Sequence, residues 1–256
     1  MLPARPVLHP GVPVVRRDDR HLQVGIDPPR CVVLPDEPEV RRVLDRLRSG
    51  DAPAPETEAG ARALDRLVRA GLLDDLDARE RGRAARATVS VGIDGPSDLD
   101  RNVAERLRDV DLAVAADPDH ASVVLVLRDG PVPRRQLDRC VRDGTPHLVV
   151  AAEAGAVTVG PFVEPGRTAC QRCVDAHVGQ ADPRRALLLE QARAAVPREP
   201  ALHAVALAWA VSDLLTWAEG RVPSTWSATV RLDAGLDVRR TPWTRHPGCG
   251  CAWDVL

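Results

Sequence analysis

Two pairs of closely spaced cysteines constrain this chain more than any other feature. Cys170 and Cys173 form a C-x-x-C inside VGPFVEPGRTACQRCVDAH, Val159 to His177, and Cys249 and Cys251 close the run RHPGCGC. The whole chain has only six cysteines, so two tight pairs call for a joint explanation. A four-thiolate metal site provides one, because Zn²⁺ accepts four soft ligands in a tetrahedron and has no electronic preference for another geometry. The expectation is a structural Zn²⁺ held by Cys170, Cys173, Cys249 and Cys251, tying the end of the chain to its middle. His246, beside the second pair, is an alternative fourth ligand. Four thiolates leave no open coordination position, which argues against a catalytic metal. Cys31, in an apolar run, and Cys140, within a helical pattern, read as packing residues. Neither has a neighbouring His or acid that would activate a thiolate.

At 256 residues the chain can form one large domain, or a large and a small one. A net charge of −2 gives no bulk attraction to nucleic acid or to an anionic membrane, and neither is expected as a partner. All 35 basic residues are arginine, so no lysine can serve as Schiff base, general base or phosphate ligand. Tyrosine is absent and Phe162 is the only phenylalanine, which removes the stacking platforms that single-stranded nucleic acid needs. The stretch Ala201–Ala218 is the most apolar, but it contains His203 and Asp213 and is barely long enough to span a bilayer. A buried core helix is expected there. The N-terminus, MLPARPVLHPGVPVV, lacks a signal-peptide pattern. A cytoplasmic location is therefore expected, where clustered thiols point to metal rather than disulfides.

Residues 1–80 read as a separate small unit. Val12–Val15 and His21–Gly25 flank a polar turn as a hairpin, and Cys31–Leu34 is a third β-branched run. Helices are expected over Glu37–Arg48, with Val40, Val43, Leu44 and Leu47 on one face, and over Ala59–Ala70, with Ala63, Leu64, Leu67 and Val68. This is a winged-helix-like inventory, and a plain α+β core fits the periodicity equally. Asp75–Arg86 is a linker or helix. From residue 87 the pattern becomes α/β. Strands are expected at Ala87–Ile93, Asp111–Ala116, Ser122–Leu127, Pro146–Ala151 and Val157–Val163, with helices at Asp98–Arg108 and Arg134–Asp143. Apolar strands alternating with helices indicate a parallel sheet. Two helices, Pro183–Ala195 and Pro200–Gly220, and a hairpin, Trp226–Leu232 with Asp237–Trp243, lead to the last cysteines.

A nucleotide-binding version of such a sheet carries a glycine-rich turn after its first strand. Here that turn reads Val91-Gly92-Ile93-Asp94-Gly95-Pro96-Ser97-Asp98. Gly92 and Gly95 are present, but the third glycine is missing. Asp94 and Asp98 put negative charge where a phosphate would approach a helix N-terminus. ATP binding is not expected, and a scaffold sheet with a degenerate site is.

Together, Gly160-Pro-Phe-Val-Glu-Pro-Gly-Arg-Thr-Ala-Cys170-Gln-Arg-Cys173, Asp182-Pro183 and Trp243 to Cys251 resemble the ThiF-like, ubiquitin-activating-enzyme-like superfamily. The closest similarity is to a diverged actinobacterial branch, the leader-peptide-binding proteins that accompany YcaO-type cyclodehydratases in azole-modified peptide (bacteriocin) biosynthesis. The resemblance implies a Rossmann-like domain over 87–256 with a C-terminal zinc knuckle. It also implies a winged-helix peptide-recognition unit over 1–80. Asp129, just after SVVLVL, sits about where the family's metal-binding Asp lies; alone, it reads as a turn residue. The implied function is a non-catalytic scaffold that presents a precursor peptide to a YcaO-type enzyme. The peptide is expected to add as a strand beside Val32 and Val33, with Arg62, Arg66 and Arg69 of the second helix facing an acidic leader or simply solvent. The alternatives are an ATP-dependent adenylyltransferase acting on a peptide or sulfur-carrier carboxylate, and an orphan regulatory scaffold. Homodimerisation is common in the superfamily and is also expected.

Overall fold

The apolar periods in the sequence close around separate hydrophobic clusters, two of them large. The structure, a computed structural model, describes residues 2–192 and 197–251. It divides into Met1–Arg81 and Gly82–Leu256.

In the first unit, β2 (Val14–Arg16), β3 (His21–Val24) and β4 (Val32–Pro35) form an antiparallel sheet in the order β2-β3-β4. Alternation along β3 and β4 turns Leu22, Val24, Val32 and Leu34 inward. They pack on α1 (Pro38–Ser49) through Val40, Val43, Leu44 and Leu47, and on α2 (Glu58–Arg69) through Ala63, Leu64 and Leu67. A proline in its first turn suits the start of α1, and Gly50, at φ +77°, ends it. The Thr57 hydroxyl accepts the Gly60 N–H to cap α2. A further ladder, β1 (Pro6–Leu8) with β5 (Leu73–Asp75), joins the two ends of the unit. Strands of three residues carry no readable period, so neither was expected. Asp75–Arg86 resolves into β5 and a helix, α3 (Leu76–Arg86), none of whose residues is buried.

The second unit is built on a seven-stranded sheet in the order β12-β11-β10-β9-β8-β6-β7. Its strands are β6 (Ser90–Asp94), β7 (Ala113–Val114), β8 (Val123–Arg128), β9 (His147–Glu153), β10 (Ala156–Val163), β11 (Ala228–Asp233) and β12 (Val238–Pro242). The expected parallel sheet is only part of it: β7, β6, β8 and β9 run parallel, whereas β9 to β12 pair antiparallel. The reason is local. Only Ala154 and Gly155, at φ +69°, separate β9 from β10, a tight hairpin with no room for a crossover helix. The strand expected from Ala87 begins at Ser90, because Ala87, Thr88 and Val89 still donate to carbonyls at the end of α3.

Crossover helices α4 (Ser97–Asp109) and α5 (Arg134–Arg142) flank the sheet. Beyond β10 come α6 (Gln171–Gly179), α7 (Arg185–Gln191) and α8 (Pro200–Ala218). The remainder of the helix expected to reach Ala195 lies outside the described residues. By length and composition α8 could cross a membrane. Here it packs on the sheet, with Leu202, Ala206, Leu207, Ala210 and Leu214 in the main core beside Phe162 and Val159. Its Asp213 is buried but satisfied by the backbone N–H and hydroxyl groups of Ser224 and Thr225. Gly160, at φ +97°, is required where β10 bulges: a Cβ there would lie 2.4 Å from the Ala228 carbonyl oxygen.

Candidate metal centre and switch-point crevice

Cys170 is the N-cap of α6 and Cys173 lies in its first turn, whose N–H returns to the Cys170 carbonyl at 3.0 Å. A C-x-x-C at this position sends both sulfurs toward the positive end of the helix, where thiolates are stabilised. The second pair comes from the turn after β12, where Cys249 N–H donates to the His246 carbonyl at 2.9 Å. Cys170 Sγ lies 3.7 Å from Cys173 Sγ, 3.6 Å from that of Cys249 and 3.5 Å from that of Cys251; Cys173 and Cys251 are 3.3 Å apart. All four sulfurs fall within 4.8 Å of one another and none is in a disulfide. A tetrahedron with metal–sulfur bonds of about 2.3 Å has edges of about 3.8 Å. The four thiols therefore already fit around one ion, and they can hold a metal.

The Cys173 thiol is lowered to about 4, first by its hydrogen bond with Cys170, while that same contact and burial push Cys170 up. Cys251 is raised to about 11, first by desolvation. Thiolates this close repel one another, and a dication would relieve that repulsion.

The centre is braced from several sides. Arg172 forms a bidentate pair with Asp138 at 2.5 and 2.5 Å, and Arg134 pairs with Asp175 at 2.5 and 2.8 Å, locking α6 to α5. His177 lies 3.0 Å from the Thr244 carbonyl, and its ring meets that of His246 edge-on at 4.9 Å. His246 accepts the Gly248 N–H on Nδ1 at 3.0 Å and stands outside the sulfur cluster as a brace rather than a ligand. The motif residue His177 and the Arg–Asp pairs were not assigned from sequence, because nothing in it says which arginine meets which aspartate. A cavity of about 420 Å³ opens beside Cys170, Cys249 and Cys251, with Arg142 and Arg172 on its wall.

At the other end of the parallel strands the chain order reverses between β6 and β8, the usual position for a ligand crevice. Gly92 lies within β6, and a Cβ on it would come 2.7 Å from Pro118 Cα, so its need for glycine comes from packing. Gly95 lies in the bend before α4. Asp129 follows β8 but is not a lone turn residue: Arg198, just before α8, grips it with Nε at 2.6 Å and Nη2 at 2.5 Å. Arg198 also donates to Asp98. Asp98 is held below the usual carboxylate range, first by Arg198 and further by the N–H groups of Asp98 and Leu99 in the first turn of α4. Arg128 donates to the Asp94 carbonyl at 2.7 Å and to its carboxylate at 2.9 Å.

In the first unit Val32 and Val33 divide. Val32 is buried, and Val33 is half-exposed. Asp36 N–H donates to the Arg20 carbonyl at 2.7 Å, which makes 20/36 a bonded pair. Alternation along the ladder then makes Leu22/Leu34 and Val24/Val32 bonded pairs and turns the N–H and C=O of Val33 away from β3. β4 is an edge strand, so those groups face outward. On α2, Arg62 pairs with Glu58 and Arg69 with Asp65 at 2.7 Å. Arg66 points outward, with no partner among the described residues.

A parallel sheet with a reversal point, extended by an antiparallel hairpin and carrying a four-cysteine cluster, makes the second unit an open α/β fold. No family model and no curated protein matches the chain by sequence. Among solved structures, the heterocyclase TruD superposes with a TM-score of 0.73 at 17% identity over 97% of this chain and 43% of its own. A heterocyclase in complex with substrate and cofactor gives 0.71 at 14% identity, covering 98% of this chain and 40% of that one. The chain thus spans about two fifths of these heterocyclases. MccB of E. coli, a microcin C7 biosynthetic enzyme, gives 0.65 at 11% identity over 96% of this chain and 98% of its own.

Proposed function

We propose that this chain captures a ribosomal precursor peptide on the open edge of β4 and presents it to a YcaO-type cyclodehydratase, without catalysing a reaction itself. The observation that carries this reading is the outward N–H and C=O of Val33 on an edge strand. An extended peptide binds such an edge through main-chain hydrogen bonds. The half-exposed Val33 side chain and the exposed Arg66 add an apolar contact and a positive charge for an acidic leader. The first unit then takes the role of a winged-helix peptide-recognition element, and the metal centre, as Zn²⁺, that of a structural staple. Two likenesses support the setting: a heterocyclase described with substrate and cofactor, and MccB described with N-formylated MccA. The heterocyclases extend well beyond the matched region, which suits an activity carried outside this fold.

Val33→Pro tests the reading. Proline there removes an N–H that β3 does not use and leaves the ladder intact. Labelled precursor peptide should bind the wild type, and Val33→Pro should weaken binding at least about tenfold with an unchanged melting temperature, the loss expected when one bound main-chain N–H is deleted and the peptide is left with an unpaired acceptor. Equal binding by both proteins would remove β4 as the site.

A second reading, an adenylyltransferase acting on a peptide carboxylate, is favoured by one observation: the chain covers nearly the full length of the enzyme MccB. Peptide-dependent ATP–pyrophosphate exchange separates the two, since turnover would establish the enzyme.

A further inference from the structure

The crevice where the strand order reverses is the natural ligand position of an open α/β sheet, because helix N-termini and loop ends converge there. An anionic ligand at such a point needs two things. One is the free N–H groups of the adjacent helix N-terminus. The other is a cation shared between the ligand and an acidic residue at a strand end. Both are already taken. Asp98 sits in the first turn of α4, and Asp129 directly follows β8. Between them lies Arg198, a hundred residues from Asp98 in sequence and delivered by the residues just before α8. Its guanidinium is bidentate to Asp129 and reaches both oxygens of Asp98. Beside it, Arg128 ties the end of β8 to Asp94 at the end of β6 and to Gln136 of α5. The buried His203 approaches Asp129 with Nε2 at 3.9 Å. It is 5% exposed, and its Nδ1 has no partner among the described residues.

We propose that this crevice is closed by the protein's own groups. The Asp98 carboxylate stands where a phosphate would meet the α4 N-terminus, and the Arg198 guanidinium stands where a ligand-borne cation would bridge to Asp129. Arg198 is the keystone because one side chain neutralises both aspartates. Without it, the Asp98 and Asp129 carboxylates lose the guanidinium they share, and such oxygen donors suit a hard divalent cation. A phosphorylated ligand cannot enter while Arg198 is seated. To do so it would have to displace a bidentate guanidinium and also face the Asp98 charge.

The inference goes beyond the peptide reading and is tested apart from it, since peptide capture is read at β4. Mn²⁺ alone is titrated into wild type, Arg198→Ala and Arg198→Ala/Asp129→Ala, with free ion followed by electron paramagnetic resonance. The wild type is also titrated with Mg·ATP by calorimetry. Wild type should take up neither. Arg198→Ala should gain a saturable Mn²⁺ site, at least about tenfold tighter than any wild-type uptake, as expected for newly unpaired carboxylates. The double variant should lose it. Arg198→Lys, which keeps the charge, should stay close to wild type. If the Ala variant does not melt as a folded protein, Arg198→Gln carries the same comparison. Two results overturn the proposal: saturable Mg·ATP binding by wild type that weakens on loss of Arg198, or Mn²⁺ uptake by the folded Arg198 variant that matches wild type.

Discussion

Cys249 shows how much one side chain can carry. It is 9% exposed, lies 3.6 Å from Cys170 Sγ, and packs with Trp243 and Cys251 among the described residues. Serine in its place keeps the shape but substitutes a harder, weaker ligand. Cys249→Ser should lower bound zinc from one equivalent per chain to well below half, measured by elemental analysis. Cobalt-substituted wild type should show thiolate charge-transfer bands that the variant loses. A wild type purified without stoichiometric metal would refute the staple. The four clustered cysteines were readable in the sequence as two pairs because their spacing sets them apart. Arg198 was not, because its partners lie 69 and 100 positions away and no spacing rule joins them. His246 shows the converse. Sequence proximity made it a candidate ligand, and its ring nitrogen proved to be committed to the Gly248 N–H.

At the scale of elements, the helices of the first unit emerged from their periods within a residue or two, since each buries one stripe. What holds α1 to the connection before α2 was not legible. Glu39, in the first turn of α1, accepts from Arg42 at 2.8 and 2.8 Å and from the Glu56 N–H at 2.7 Å. Its carboxyl is lowered from 4.5 to about 2, first by Arg42 and then by the Glu56 N–H. A carboxyl depressed on folding stabilises the protein above its unfolded value of 4.5, and that contribution disappears as pH falls through about 2. Glu39→Gln should therefore lower the urea midpoint of the first unit at pH 7. The difference from wild type should shrink steadily below pH 4.5 and vanish near pH 2. A difference independent of pH would assign the loss to packing instead. The antiparallel turn of the second sheet escaped the sequence for another reason. A buried strand reads the same in either direction, so β10 could be located in the sequence but not oriented.

At the scale of the molecule, the two units enclose separate hydrophobic clusters, one around Val40, Leu44 and Leu67, the other around Leu125, Phe162 and Leu214. The four-cysteine cluster belongs only to the second. Its own small cluster of Val163, Ala169, Cys170, Cys173 and Cys249 holds the end of the chain against β10 and α6. Metal binding to thiolate sites of this kind is worth on the order of 10 kcal/mol in isolated finger peptides. Even a fraction of that moves a domain of this size by several degrees, at roughly 2–4 °C per kcal/mol. Every tryptophan lies beyond residue 200, and the first unit has no aromatic residue. Tryptophan fluorescence therefore reports the second unit alone, whereas far-ultraviolet circular dichroism reports both. Removing the metal with a strong chelator should lower the fluorescence transition by about 10 °C or more, in line with these values. In circular dichroism one step should move with it and another should stay in place. If both probes instead trace a single transition that the chelator shifts as a whole, the units fold as one cooperative body, and the proposed peptide edge of β4 would then depend on the metal. That dependence would appear directly as loss of precursor-peptide binding in the chelated protein, which independent units should retain in full.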